Sequence, residues 1–288
     1  MHVWKFIAVG AAIAIASQGS VAPAQDAAAY QQGIAAYRAQ DYETAFRIFK
    51  EFAEAGDMNV QYALGAMYER GEGIAKSPSE AAIWYRKSAD QGYASAQNRL
   101  GVMYSSGVGV AQSDGEAVEW YRKAAEQGYA LAQFNLGTNY EQGEGVEQSY
   151  DDALIWYRRA ADQGDDSAQL NLGNLYFFGR GATKSEAEAM KWYRSAANQG
   201  NAAAQANLGN MYFNGYGTER SAAEAVKWYR QAADQENANA QAALALMYEN
   251  GWGGLPEDRA EAIALYRKAS AQGHSNAIAA LERLGVQR

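Results

Sequence analysis

The chain has 288 residues, no cysteine and two histidines, and its formal net charge is −8 at pH 7. Without cysteine it has no disulfides and no Cys-His catalytic pair, and so few histidines exclude a Ser-His-Asp triad or a typical zinc site. The acidic balance disfavours nucleic acid and anionic membrane surfaces, which require clustered Lys and Arg. We therefore expect no metal, no cofactor and no nucleic-acid partner.

Residues 1–24 have the pattern of a secretory signal peptide. Lys5 precedes an apolar run of eleven residues, and the segment ends on the small residues Ala22 and Ala24. A positive start, a short apolar core and a small-x-small site are typical of such signals, whereas a spanning helix needs about 20 apolar residues. We predict cleavage after Ala24, no stable membrane insertion, and a periplasmic or secreted mature chain of charge −9, because the segment contains Lys5 and no acidic residue.

Residues 25–57 predict a divergent first pair of helices. Gly33 and Tyr37 match the end of the first helix in later repeats, and Phe49 stands where those repeats have tyrosine in the second helix. Terminal units of a repeat stack have one face without a neighbour and are commonly atypical. We interpret this pair as an N-terminal cap.

From Met58 to Gly273 the sequence repeats every 36 residues, which indicates a stacked repeat protein. The step is kept by a glutamine at 61, 97, 133, 169, 205 and 241 and by a tyrosine at 68, 104, 140, 176, 212 and 248. Repeats one to six are predicted at approximately 58–93, 94–129, 130–165, 166–201, 202–237 and 238–274.

Each repeat predicts two helices. In repeat one, the apolar residues between 62 and 68 have helical spacing, and the first helix ends at Gly71. The second helix begins at Ser77, with Glu80 three residues later, a pattern that indicates a capping box in which the acidic side chain bonds back to the serine backbone. Asp258 and Glu261 preserve this chemistry in repeat six.

Two sets of recurring glycines indicate where each second helix ends and where the two helices of a pair come close together. Each second helix ends at a glycine that supplies a left-handed residue, except in repeat five, where Glu236 replaces it and where we expect a locally strained or looser corner. A second glycine lies inside the first helix, where it costs about 1 kcal/mol relative to alanine. We expect the Trp-Tyr pair of the second helix to occupy the space that it leaves. These internal glycines are Gly65, Gly101, Gly137, Gly173 and Gly209.

Residues 275–288 predict a C-terminal cap and tail. Ser275 to Leu284 resembles a lone first helix, and we expect Leu281 and Leu284 to face inward. The last four residues are expected to fray. His274 is expected to be a solvent-facing turn residue, and it is the one histidine that remains after residues 1–24 are removed.

The motif LGxMYxxGxG, followed by AxxWYRKAAxQG, resembles the Sel-one-like repeat (SLR) family, which is related to the tetratricopeptide proteins. The resemblance covers Met58 to Gly273. It implies an all-α fold, namely a right-handed α/α solenoid of antiparallel helix pairs. It also implies an adaptor for other proteins without catalytic residues, because the family motif is a packing motif.

Positions that differ between repeats predict the binding surface. The two residues after each helix-ending tyrosine, and the residue inside each Gly-x-Gly, are mostly polar in early repeats and aromatic in late ones. Stacking places equivalent positions side by side, and contiguous exposed aromatics mark interaction surfaces. Alternatively, the rings pack against neighbouring loops, with Phe178 and Phe213 the most buried. We call this set the aromatic rim: Phe177, Phe178, Arg180, Phe213, Tyr216 and Trp252.

These observations favour an exported, monomeric and non-catalytic scaffold or regulator of the bacterial cell envelope that binds another protein. A module that binds peptidoglycan or exopolysaccharide is the alternative, because aromatic rims with neighbouring amides also suit sugar faces. A hydrolase is a distant third, since the chain has no cysteine and almost no histidine.

Overall fold

The computed structural model describes residues 24–286, and these form fifteen α-helices, one short 3-10 turn and no strand. The predicted signal segment lies outside the described residues except for Ala24. Within the described part, no helix is long and apolar enough to cross a membrane. The helices are α1 (Ala24–Arg38), α2 (Tyr42–Glu54), α3 (Met58–Arg70), α4 (Pro78–Asp90), α5 (Ala94–Ser106), α6 (Asp114–Glu126), α7 (Ala130–Gln142), α8 (Tyr150–Asp162), α9 (Asp166–Phe178), α10 (Glu186–Asn198), α11 (Ala202–Asn214), α12 (Ala222–Asp234), α13 (Ala238–Asn250), α14 (Arg259–Ala271) and α15 (Ser275–Arg283), and the 3-10 turn is Trp252–Gly254.

Consecutive helices pack in pairs, which confirms the predicted all-α solenoid of helix pairs. The chain divides after Gln148 into two compact parts, which we call the N-terminal half (α1 to α7) and the C-terminal half (α8 to α15). In the N-terminal half α3 packs on α4 and α5 on α6, and in the C-terminal half α9 packs on α10, α11 on α12 and α13 on α14. Each pair also packs on the next within its half.

A glycine packed against a buried tyrosine sets the close approach within a pair. A Cβ added to Gly101 would lie 2.6 Å from the Tyr121 ring, and one added to Gly173 would lie 2.6 Å from the Tyr193 ring. Such distances are far below van der Waals contact, so no larger side chain fits without a shift. The predicted aromatic occupant is confirmed, and it is the tyrosine of the Trp-Tyr pair.

Serine caps begin the second helices, as predicted. The Ser77 Oγ accepts a hydrogen bond from the Glu80 N–H at 3.3 Å, and the serines of later repeats do the same. The prediction that the acidic side chain bonds back to the serine backbone is wrong. The Ser77 N–H instead donates its single proton to the Tyr68 carbonyl, near the end of the preceding helix, at 2.9 Å.

The recurring glutamine connects successive pairs. Gln97 Nε2 donates to the Ala89 carbonyl in the last turn of α4 at 3.1 Å, and Gln97 Oε1 accepts from Gln127 Nε2 at 2.7 Å. The Ala89 carbonyl also accepts the Gly92 N–H at 2.9 Å, so the buried Gln97 amide is a second donor to this helix end. The same pattern recurs at Gln61, Gln169, Gln205 and Gln241.

The terminal helix packs as the sequence predicts. Leu281 in α15 is fully buried, and Leu284 packs against the same apolar cluster. His274 differs from expectation, because it is half-buried and its Nδ1 accepts a hydrogen bond from the Ala277 N–H at 3.2 Å. It is therefore the N-cap of α15 rather than a solvent-facing turn residue.

Glu236 takes the left-handed conformation that glycine has in the other repeats. Its φ is 63°, whereas φ is 93° at Gly200 and 82° at Gly273. The left-handed region costs a residue with a Cβ about 1–2 kcal/mol. The strain expected at this corner is confirmed.

Gly173→Ala is expected to lower the free energy of unfolding by about 1–3 kcal/mol, because the added methyl overlaps the buried Tyr193 ring. Urea unfolding followed by circular dichroism measures the change. Gly115→Ala in α6 is the matched control, since its Cβ would meet nothing within 4 Å and the change should stabilise by about 0.4–1 kcal/mol. Equal stabilisation of both variants would contradict the packing constraint.

Glu236→Gly is expected to raise the free energy of unfolding by about 1 kcal/mol, because glycine enters the left-handed region without steric cost. The Gln272 side chain donates to the backbone carbonyl of residue 236 at 2.9 Å, so the substitution leaves this bond in place. Gly200→Glu is the reciprocal variant and should destabilise. A loss of stability in Glu236→Gly, measured by thermal and urea unfolding, would refute the strain.

Candidate functional site

The five aromatic residues of the aromatic rim form two clusters in the C-terminal half. The Phe177 ring centroid lies 5.1 Å from that of Phe178 and 5.6 Å from that of Tyr216. The Phe213 and Trp252 centroids are 5.5 Å apart. In both clusters, the residue inside a Gly-x-Gly packs on the residue that follows the helix-ending tyrosine one repeat earlier. Equivalent positions are neighbours, as stacking predicts, and their binding role stays a prediction.

Three of these rings are exposed. The exposed fraction is 60% for Phe178 and 39% for both Tyr216 and Trp252, whereas Phe177 and Phe213 are half-buried. The expectation that Phe178 is among the most buried is wrong. It is the last residue of α9 and packs edge-on against Phe177 at an interplanar angle of 90°, outside the helix interface.

A groove of about 350 Å³ lies beside the first cluster. Its lining carries four asparagine amides, aromatic rings and one methionine, and it includes no Asp, Glu, Lys or Arg. The groove can therefore bind a ligand through apolar contacts and through neutral hydrogen-bond donors and acceptors. The lining residues are Asn174, Phe177, Phe178, Tyr193, Asn207, Asn210, Met211, Asn214 and Tyr216.

Two of the asparagines are oriented by buried tyrosines. Asn174 Oδ1 accepts from the Tyr193 hydroxyl at 2.8 Å, and Asn210 Oδ1 accepts from the Tyr229 hydroxyl at 2.7 Å. Burial raises the pKa of Tyr193 and of Tyr229 well above the usual tyrosine value, so both hydroxyls stay protonated and donate. The amide Nδ2 groups of the two asparagines make no hydrogen bond among residues 24–286, which leaves them available to a ligand.

In repeats one and six the equivalent tyrosines use a glutamate instead. The Tyr85 hydroxyl donates to Glu69 at 2.8 Å, and the Tyr266 hydroxyl donates to Glu249 at 3.0 Å. Each glutamate directly follows the helix-ending tyrosine of its own repeat. Arg283 also donates to Glu249 at 2.8 Å, and this bond lowers the pKa of that carboxyl.

In repeats four and five an asparagine replaces the glutamate as the acceptor of the tyrosine hydroxyl. Phe177 and Phe213 occupy the glutamate position, and Asn174 and Asn210 accept the tyrosine hydroxyls in its place. Sequence reasoning missed these asparagines, although a signal was present: asparagine occurs at this position only in the two repeats that have phenylalanine three residues later. The other repeats have Ala66, Val102, Thr138 and Leu246.

Two arginines lie beside these rings: Arg180, which belongs to the aromatic rim, and Arg220. The Arg180 guanidinium lies 5.4 Å from the ring centroids of both Phe178 and Tyr150. The Arg220 guanidinium lies 5.5 Å from the Phe213 centroid, and its Nε donates to the Phe213 carbonyl at 3.0 Å. Neither arginine forms an ion pair with any residue in the described part of the chain.

A second cleft, of about 640 Å³, lies where Leu265 replaces the recurring tryptophan. In repeat four, Trp192 at this position lies under the Arg158 guanidinium, 5.2 Å away. In repeat six, Arg230 and Leu265 line the cleft together with acidic and basic side chains. The smaller leucine leaves part of this space open. Across residues 24–286, no three His, Asp or Glu side chains are grouped to hold a metal ion.

Asn174→Ala is expected to lower the free energy of unfolding by about 1–3 kcal/mol, because the buried Tyr193 hydroxyl loses its acceptor. In a Tyr193→Phe background the same substitution should cost less, with a coupling energy of about 1 kcal/mol. The double-mutant cycle, measured by urea unfolding, gives this coupling. Independent, additive effects would show that Asn174 does not replace the glutamate acceptor.

Comparisons with known proteins agree with this architecture. The family model for the Sel1 repeat matches residues 22–57, 59–93, 94–129, 130–165, 166–201, 202–237 and 238–274. A solved Sel1 repeat protein from Oxalobacter formigenes is 34% identical, with a TM-score of 0.75 over 83% of this chain and 95% of that one. The antigen c5321 of uropathogenic Escherichia coli, which displays an SLR fold, is 31% identical, with a TM-score of 0.72 over 96% and 67%. No curated protein matches in sequence. The chain belongs to the Sel1 repeat family.

Proposed function

We propose that this chain is an exported, non-catalytic scaffold of the cell envelope that binds another protein through the aromatic rim. Sel1 repeat proteins are generally scaffolds for protein interaction. The observation that carries the proposal for this chain is the exposure of Phe178, Tyr216 and Trp252 in one half of the molecule. Phe, Tyr and Trp at the centre of an interface contribute much of its binding energy.

The aromatic residues are not required by packing. Glu69, Ser105 and Glu249 occupy the position of Phe177 and Phe213 in other repeats, and those repeats form the same helix pairs. A phenylalanine there removes the tyrosine's acceptor and calls for a compensating asparagine. We infer that recognition of a partner, rather than stability, accounts for this exchange.

Export is the part of the proposal that rests on the sequence alone. Residues 1–24 combine Lys5, a short apolar run and small residues at the end. The absence of cysteine suits an oxidising compartment as well as a reducing one, because the fold needs no thiol. Fractionation of cells that express the full chain, with intact-mass measurement of the product, should find it outside the cytoplasm and cleaved after Ala24.

A carbohydrate-binding role is the second candidate, and the neutral groove favours it. Asn174, Asn207, Asn210 and Asn214 provide amides beside the exposed Tyr216 ring. Sugars bind through hydroxyl hydrogen bonds and through stacking on aromatic faces, and both elements are present. The two candidate functions can be told apart, because soluble oligosaccharide should release the bound material only if the groove binds carbohydrate.

Affinity capture from envelope extract tests the proposal. The mature chain is compared with the triple variant Phe178→Ala, Tyr216→Ala and Trp252→Ala, which removes the exposed rings and leaves half-buried Phe177 and Phe213 in place. We expect a protein that the mature chain retains to be lost with this variant, because the rings supply the anchoring contacts. Circular dichroism checks that each bait is folded.

The matched control bait removes three exposed apolar side chains of the N-terminal half. Its substitutions are Ile83→Ala, Val108→Ala and Leu131→Ala, at residues 49%, 48% and 45% exposed. This control should capture the same protein as the unchanged chain. Equal capture by all three baits would remove the aromatic rim from the proposal. Release of the captured material by soluble oligosaccharide would favour the carbohydrate-binding role.

A further inference from the structure

We propose that the groove beside Phe177 and Phe178 binds an extended acidic peptide segment of the partner protein. In this arrangement the peptide main chain lies on the asparagine amides, an apolar side chain packs between Phe178 and Tyr216, and a carboxylate pairs with Arg180 or Arg220. The inference rests on the proposed scaffold function and specifies the chemistry that the aromatic rim recognises.

The groove presents donors and acceptors together. The Nδ2 groups of Asn174 and Asn210 are free donors, one repeat apart, because the buried tyrosines hold the Oδ1 atoms of both residues. The amides of Asn207 and Asn214 use Nδ2 for bonds inside the protein, to Asn174 Oδ1 at 3.4 Å and to the Asn210 carbonyl at 2.9 Å. Their Oδ1 atoms remain acceptors. A peptide main chain alternates N–H and C=O groups and requires both kinds of partner.

Two arginines lie close to the groove in an otherwise acidic chain: Arg180 contacts Phe178, which lines it, and Arg220 contacts Phe213, whose chain neighbour Asn214 lines it. The net charge is −8, yet Arg180 and Arg220 have no carboxylate partner among residues 24–286. Nearby Glu186 is already engaged, because it pairs with Lys184 at 3.0 Å and accepts the Gly217 N–H at 3.1 Å. Glu219 precedes Arg220 in sequence and forms no ion pair with it. This local charge complements a carboxylate.

Contacts within the protein also restrict both arginine side chains before a carboxylate binds. The Arg180 guanidinium lies 5.4 Å from the ring centroids of both Tyr150 and Phe178, and Arg220 lies over Phe213 with its Nε bonded to the Phe213 carbonyl. A guanidinium already held beside an aromatic ring loses less conformational freedom when it binds a carboxylate. Charge-assisted bonds of this kind are stronger than neutral ones. An uncharged glycan would leave both arginines unused, so the charges favour the acidic peptide.

A selection of short random peptides displayed on phage, with the full mature chain as bait, identifies the sequences that bind. We expect enrichment in Asp or Glu close to an aromatic or aliphatic residue. The most enriched peptide is then synthesised with a fluorescein label, and its affinity is measured by fluorescence anisotropy. Raising the salt concentration from physiological to roughly 0.5 M should weaken binding, because ionic strength screens exposed charge pairs.

The decisive variant is Arg180→Gln with Arg220→Gln, which should weaken the labelled peptide about tenfold or more, as loss of charge-assisted pairs predicts. Arg38→Gln with Arg47→Gln is the control, since it removes two exposed arginines from the N-terminal half. This control should change the affinity less than about twofold.

Several results would overturn the inference. They are selected peptides without acidic enrichment, binding unchanged in the Arg180 and Arg220 variant, or no peptide binding up to about 1 mM. If the triple aromatic variant loses the captured protein and the arginine variant keeps it, the scaffold function stands and the acidic peptide is refuted. Binding of a soluble peptidoglycan fragment instead of any peptide would refute both.

Discussion

The contact between a glycine in one helix and a buried tyrosine ring in the next is the constraint on which the repeat depends. At Gly173 and Tyr193 the backbone and the ring lie too close for any Cβ, so the two helices approach more tightly than ordinary side chains permit. The glycine weakens its own helix by about 1 kcal/mol. The buried ring offsets that cost with its apolar area, since an aromatic side chain buries about 150–250 Å².

The same tyrosine links packing to surface chemistry. Its ring is buried but its hydroxyl reaches the edge of the helix pair, where a buried donor must be satisfied. Glu69 and Glu249 meet this need with carboxylates, and Asn174 and Asn210 meet it with amides. Because the amides satisfy the tyrosine from a different position, the neighbouring site is free to hold phenylalanine. The tyrosine hydroxyl can thus be satisfied by a carboxylate or by an amide, and the choice decides which side chains the repeat exposes beside it.

The residues that join one repeat to the next are not those of the aromatic rim. The rim can therefore change while the helix pairs stay packed on one another. Gln97 and its equivalents join the end of one pair to the next through buried amides, and the serine caps begin each second helix. Contacts in a repeat protein are confined to neighbours. A change at the rim of repeats four and five therefore affects those repeats and leaves distant ones unaltered.

The sequence by itself determined the repeat, the helices and their ends. The 36-residue step, the serine caps and the glycine stops are local or periodic features, and local backbone preferences are read directly from residue type. For the same reason the strain at Glu236 could be predicted, since a residue with a side chain replaces glycine at a helix end. The neighbourhood of Phe177 and Tyr216 also followed from the period alone.

Only the tertiary structure decided which groups meet across helices. It showed that the Ser77 N–H bonds to Tyr68 rather than to an acidic side chain, and that Phe178 lies outside the interface. It also showed that Asn174 accepts from Tyr193, nineteen residues away in sequence. Periodicity shows which positions recur, but hydrogen-bond partners and burial depend on side-chain direction and on the chain that lies opposite. These were settled by the packing of one helix pair on the next.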